Sequence, residues 1–307
     1  MEVNMIKTTK KNKIKPMTLK ETIIIYGLIT VFALLVIVPF VVLICSSFSA
    51  SEAIRRNGAR PWIQEFNLDA YETVLLYPKE IVESYVVSII VTIFGSVLNV
   101  FLCATSAFAV SRPTFRRRGA VQFFFTFTIM FNPGFVPTYI WYSEKYLNIL
   151  DSYTVLILGP AFMVGHMVLL RAFYSALPNE LYEAVKIDGA SELTIFWRIA
   201  TPLIMPGIAT AAFNSVLAYW NDAFRAMLYC DNIIPIALYL TRITNFIEFL
   251  KYAQESGFTG IDFGDLTIPE DTLLYAIALV TTAPMLCVFA AFQKYFVRGL
   301  TVGAVKG

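Results

Sequence analysis

The sequence predicts an all-α integral membrane protein of six transmembrane helices with both termini in the cytoplasm. Three observations predict it. Hydrophobic residues make up 57% of the 307 and charged residues 15%, against ~45–50% and ~25% in soluble domains; the mean hydropathy is +0.65. Six apolar runs, at about 22–48, 83–110, 119–142, 153–174, 203–229 and 273–297, each approach the ~20 residues a spanning helix needs. Lys and Arg concentrate in alternate loops, and such loops stay in the cytoplasm.

Taken in order, residues 1–21 hold Lys7, Lys10, Lys11, Lys13, Lys15 and Lys20 and read as a disordered basic cytoplasmic tail. Residues 22–297 form the six-helix domain. Its first run is long enough to remain in the bilayer, so no cleavable signal peptide is expected. The cytoplasmic side is assigned by that tail, by Arg112 with Arg116, Arg117 and Arg118, by Lys186 and Arg198, and by Lys294, Arg298 and Lys306. Basic residues of the other loops (Arg55, Arg56, Arg60, Lys79, Lys145, Arg242, Lys251) are diluted by acids.

Two external loops are long. Residues 49–82 contain Pro61, Trp62, Asn67, Asp69 and Tyr71, which suggest a folded surface loop. Residues 230–272 open as an amphipathic helix (Ile236, Leu240, Ile243, Ile247, Leu250) and turn acidic and Gly-rich through Gly257, Gly260, Asp262, Gly264 and Asp265. The stretch is either a solvated connector or a partner-contacting loop, and its length favours contact. The acids lack EF-hand spacing, which argues against calcium.

Polar residues inside apolar runs are costly and are functional suspects. Asn99, Asn132, His166, Asn214, Asn221, Asp222 and Arg225 are the main ones. Asp222 and Arg225, three apart, can pair on one helix face. His166, the single histidine, has no Cys, His or acid at ligand spacing, which favours helix packing or pore lining over metal. Asn132, Pro133, Gly134 and Pro137 interrupt the third run. Broken backbone at membrane depth is tolerated only inside protein or along a cavity, so this break is expected beside a translocation path. Tyr139, Trp141, Tyr142, Tyr219 and Trp220 form either an interfacial aromatic belt or a stacking surface for sugar rings. The candidate path is therefore Asn132, Tyr139, Trp141, His166, Asn214, Trp220, Asn221 and Asp222.

The polar loop at 175–203 is the most informative stretch. Pro178 suits a first helical turn, and Glu180 and Glu183 favour a helix N-terminus. Leu181, Ala184 and Val185 share one side, with small residues expected outward. Gly189 sits where a left-handed stop belongs, and Ser191 can cap a second short helix with Phe196, Ile199 and Leu203 on one stripe. Pro202 and Pro206 then lead into the fifth run.

These residues resemble the EAA coupling loop of permease subunits of bacterial ATP-binding-cassette (ABC) importers: Glu-Ala-Ala, three residues, Gly, nine residues, Ile, one residue, Leu-Pro. Here Glu183, Ala184, Val185, Gly189, Ile199, Thr201 and Pro202 occupy those places, with Asp188, Ala190 and Phe196 fitting the fuller pattern. Val185 and Thr201 depart from it without changing the spacing. Arg171, Phe173 and Pro178 fit the lead-in, and Trp220, Asn221 and Asp222 fit an element at the outer end of the fifth span. The ending RGLTVGAVKG, residues 298–307, resembles the cytoplasmic tail of maltose-type oligosaccharide permeases, whose tail reaches between the ATPase subunits; Gly303, Lys306 and Gly307 would make that contact.

The resemblance implies the fold of a type I ABC importer permease, embedded many times in the bacterial cell membrane. It implies a second homologous permease subunit, two ATPase subunits that hold the ATP and Mg, an extracellular or periplasmic substrate-binding protein, and an oligosaccharide substrate. A non-sugar solute is the alternative within the class; an ion-coupled secondary carrier is the alternative outside it. No phosphate-loop motif and no catalytic cluster is present, so the chain is read as a non-enzyme. No span carries the acid and histidine chain of a proton-driven carrier. Cys45, Cys103, Cys230 and Cys287 form neither a disulfide framework nor a metal site. A net charge of +2 is too small to suggest nucleic acid.

Overall fold

The computed structural model of the chain describes residues 18–76, 78–131, 133–255 and 270–304. The lysines at 7–15, Asn132, most of the acidic Gly-rich stretch, Lys306 and Gly307 lie outside them. Among the described residues every regular element is helical, apart from an isolated antiparallel bridge between Ser49 and Phe66.

α1 (Leu19–Ser47) starts at a capping box: Thr18 N–H donates to Glu21 at 2.8 Å and Glu21 N–H to the Thr18 hydroxyl at 3.4 Å. It is apolar all round and its spanning window buries nothing, as befits a lipid-facing helix. It packs along α15 (Glu270–Ala304). The folded external loop follows α1, with α2 (Ser51–Asn57) and α3 (Asp69–Leu76) against α15. Phe48 stacks on Tyr71 at 5.0 Å, and the Tyr71 hydroxyl donates to Ser47 at 2.8 Å.

α4 (Pro78–Ser111) is the central post, packed on α8 (Val164–Ser175) and α12 (Met205–Trp220). Ser88, Val91, Gly95, Asn99, Cys103, Ala107 and Val110 recur at steps of three or four and are all buried, which makes one stripe along the helix. Small residues bring the helices together, as is usual where no hydrophobic drive separates them from lipid. Gly95 seats the Tyr219 ring, and Gly207 leaves only 2.6 Å between a hypothetical Cβ and the Phe173 ring.

Among the described residues three helices are long and apolar enough to cross a membrane alone, Leu19–Ser47, Lys79–Ser111 and Thr272–Tyr295; two bent pairs, Arg118–Met130 with Phe135–Tyr142 and Glu192–Leu203 with Met205–Trp220, raise the number to five. The difference from the sequence expectation is continuity. The third run is α5 (Arg118–Met130) and α6 (Phe135–Tyr142), set at 109°. The fourth is α7 (Tyr153–Leu158) and α8, separated by 159–163. The fifth is α12, then α13 (Ala223–Tyr229) capped by the Asp222 carboxylate. Pro133, Pro160 and the Asp222 cap are the physical reasons: two lack a ladder N–H and the third restarts a helix. The amphipathic helix expected after residue 230 is α14 (Ile236–Glu255), with Ile236 and Ile247 buried. The tail expected from residue 298 continues α15 as far as Ala304.

Candidate functional site

The polar loop folds into an elbow. α9 (Asn179–Ile187) begins after Pro178, whose backbone is extended. It ends in a Schellman motif: Ala190 N–H donates to Val185 O at 3.2 Å and Gly189 N–H to Lys186 O at 3.0 Å. Gly189 has φ +81°, a region L-residues rarely adopt. The Ser191 hydroxyl then accepts from Thr194 N–H at 3.3 Å, capping α10 (Glu192–Thr194). A π-helical turn at Ile195–Ala200 and α11 (Thr201–Leu203) follow. Pro202, which has no N–H to donate back, coincides with this wider turn. The stretch Glu192–Leu203 meets α12 at 83°.

The elbow has a buried and a bare side. Inward, Tyr182, Ile195, Phe196 and Ala200 join Phe108, Met167, Leu170 and Tyr174 in one core. Phe108 meets Phe196 at 5.3 Å and Tyr174 at 5.5 Å. Val185 and Ala190 pack against this core, and Ile199 is half-buried. Outward lie Glu183, Ala184, Asp188, Gly189 and Pro202, all exposed. The expected stripe of small outward residues is therefore split: Val185 faces the core, while Ile187 (86% exposed) and Leu193 (72%) stand free on either side of the Gly189 turn.

Arg112, just past the end of α4, joins the two arms. Its guanidinium lies 3.6 Å over the Tyr182 ring and its Nε is 4.0 Å from Glu192, although the residue is only 7% exposed. Lys186 meets the same Glu192 at 2.5 Å. Burial pushes the Tyr182 phenol up, opposed by the Arg112 charge. In the sequence Arg112 reads only as a charge that orients the chain, and no motif marks Tyr182, Ile187 or Leu193. The spacing of Tyr182 to Val185 and of Ile187 to Gly189 was visible, but which side faced inward was not.

A second polar cluster holds the broken fourth run. Asn99 is fully buried, and its amide donates to Pro160 O at 3.3 Å and Ala161 O at 3.2 Å. Its Oδ1 therefore faces His166 Nδ1 at 2.8 Å and accepts from the Ser215 hydroxyl at 3.2 Å. His166 consequently carries its proton on Nδ1. Cys103 donates to Met163 O at 3.3 Å and the Tyr219 hydroxyl to Ile157 O at 2.9 Å. The carbonyls of Ile157, Pro160 and Ala161 thus find partners on α4 and α12, as a low-dielectric setting demands, while Met163 O also accepts from His166 N–H at 3.0 Å.

The other path residues are dispersed. Trp220 is buried and donates from Nε1 to Thr281 O at 3.2 Å. Asn221 bonds back to Leu217 O at 3.0 Å, and Asp222 pairs with Arg225 at 2.6 Å. Tyr139 stacks on Tyr229 at 6.3 Å and Trp141 on Tyr146 at 5.3 Å. Asn214 is exposed, whereas the adjacent Ser215 is buried. Asn132 and the last two tail residues lie outside the described chain, and Gly303 sits in the last turn of α15.

Residues 85–302 match the family described as the binding-protein-dependent transport system inner membrane component. The chain belongs to that family. The permease is 33% identical over 287 residues to the polygalacturonan/rhamnogalacturonan transport system permease protein YtcP of Bacillus subtilis, covering 92% of this chain and 97% of that one. It is 28% identical to the melibiose/raffinose/stachyose import permease protein MelC of the same organism, covering 88% and 91%. It is 27% identical to the trehalose/maltose transport system permease protein MalG of Thermococcus litoralis, covering 94% and 98%. Its fold matches a chain in the crystal structure of a bacterial ABC transporter involved in the import of the acidic polysaccharide alginate, with TM-score 0.75, 26% identity, and 92% and 100% coverage. The permease is thus an inner-membrane transport component, and membership implies an ATPase and a substrate-binding protein as partners.

Proposed function

We propose that this permease is one of two homologous membrane subunits of an ATP-driven importer of oligosaccharides. Two ATPase subunits, carrying ATP and Mg, would seat the elbow, and an external binding protein would deliver the sugar. The observation that carries this reading is the elbow's division into a rigid inner side and a bare outer side. Ile187 and Leu193 are large apolar residues left in water beside Glu183 and Asp188. Exposed apolar residues rimmed by charge mark a protein interface. Tyr182 and Arg112 fasten that surface to α4, so a displacement of the elbow is transmitted to the central post.

The sugar class rests on the relatives named above, whose names give polygalacturonan/rhamnogalacturonan, melibiose/raffinose/stachyose and trehalose/maltose. The exposed Tyr139, Trp141, Asn214 and Asn221 would line half of a path whose other half the second permease supplies.

The test uses the assembled transporter. Ile187→Ser combined with Leu193→Ser removes two side chains worth about 1.5–3 kcal/mol each when buried. It should weaken ATPase co-purification by at least about tenfold while leaving the melting temperature of the permease unchanged. Undiminished co-purification would sink the reading. Thermal-shift screening of the cognate binding protein against glycan fragments identifies the sugar.

A further inference from the structure

A cavity of about 200 Å³ lies beside the elbow, walled by Arg112, Arg118, Arg171, Ser111, Ser175 and Asn179. It is smaller than the ~300–1,000 Å³ pockets that hold drug-sized ligands and suits one compact polar group. Three arginines line it and no acid does. Among the described residues no carboxylate pairs with Arg118 or Arg171; Arg112 reaches Glu192 only at 4.0 Å, and Glu192 is itself held by Lys186. The Nε atoms of Arg112 and Arg171 are buried without a hydrogen-bond partner. Unpaired donors of this kind are costly in a native structure. Two helices also begin at this cavity, α5 at Arg118 and α9 at Asn179, and neither has a side-chain cap. Uncapped helix N-termini favour anions, although the first turn of α9 already carries Glu180.

We propose that this cavity is a phosphoryl-binding site. Guanidinium groups arriving from three elements match a tetrahedral set of oxygens, and the arginine fork binds phosphate in bidentate fashion. The cavity lies where the apolar stretches of α4 and α8 stop and α5 starts, the level at which a bilayer places its phosphate layer. A phosphoryl group seated there would tie the base of the elbow to the ends of three membrane helices. The group comes either from an anionic lipid or from a soluble phosphate.

The experiment is calorimetric titration of the purified full-length chain in a nonionic detergent, with dihexanoyl-phosphatidylglycerol and separately with inorganic phosphate. Saturable binding is expected. Arg171→Gln and Arg118→Gln should each weaken it about tenfold or more, the loss of one charge-assisted hydrogen bond, and Arg171→Lys should retain part of it. Saturation by the lipid alone assigns a headgroup; saturation by phosphate with the same arginine dependence assigns a soluble ligand. Should neither probe saturate on the wild-type chain, or should both Gln variants bind as tightly as wild type, the proposal is overturned. Arg118 lies at an exposed helix start, so its variant folds even if Arg171→Gln does not.

Discussion

The break between α7 and α8 and the elbow between α9 and α12 are both sharp interruptions of an apolar chain, yet they are finished differently. At the break, Asn99, Cys103 and Tyr219 take up the carbonyls of Pro160, Ala161, Met163 and Ile157, and His166 and Ser215 close the set. At the elbow, backbone groups are satisfied by a Schellman turn and a serine cap, but Ile187 and Leu193 are bare and two arginine Nε atoms are unpaired. A bend that is complete within the chain is a structural joint. A bend left incomplete at side-chain level leaves surface on which another molecule can dock.

Breaking the complete bend should have the largest effect on stability. Asn99→Leu strands the two carbonyls and removes the acceptor of His166 and Ser215, for about 2 kcal/mol or more. The melting temperature of the detergent-purified chain should fall by several degrees; an unchanged melting curve would mean that the Asn99 network contributes nothing net. The incomplete bend should respond in activity instead. A Cβ at Gly189 meets nothing within 4 Å, but its φ of +81° costs an L-residue such as Gly189→Leu about 1–2 kcal/mol. The variant should insert and lose at most a few degrees of melting temperature, less than Asn99→Leu, while sugar uptake falls about tenfold and ATP hydrolysis continues. Uptake at the wild-type rate would erase the distinction between the two bends.

The smallest effect concerns a third, solvent-facing tie. The Asp151 carboxylate accepts from Asp231 and Asn232 N–H, both at 3.0 Å, from Ile233 N–H at 3.3 Å, and from the Asn232 amide at 2.6 Å. The Asn232 bonds, together with the other N–H donors, hold it below the usual carboxylate range. A depressed folded-state pKa stabilises above the unfolded value of about 3.9 and loses that contribution as pH falls through the folded value. Asp151→Asn should therefore lower the melting temperature slightly at neutral pH, and the gap to wild type should close under acid. A gap that persists at a pH well below the ordinary carboxylate range would show that the tie is not ionic.

Much of this was legible in the amino-acid order. Gly189, Ser191 and Pro202 act locally, through backbone dihedrals and missing or offered donors, so their turn, cap and kink follow from position alone. The run at 153–174 misled because Gly159 and Pro160 sit within an otherwise continuous apolar stretch, and hydropathy does not register a hydrogen-bond gap. Trp220 is ambiguous for another reason. An indole near a helix end suits an interface or a path equally, and only its bond to Thr281 O shows that it is packed against α15.

The sequence by itself determined that the chain lives in a bilayer and that an elbow of EAA type interrupts its apolar runs, because hydropathy, proline, positive-φ glycine and capping are short-range properties. The tertiary structure decided which side of that elbow is bare, that Arg112 braces it, and that Asn99 completes a break more than fifty residues away. Those outcomes depend on which side chains the packed helices bring within hydrogen-bonding or stacking distance, a relation between distant positions that no local pattern encodes.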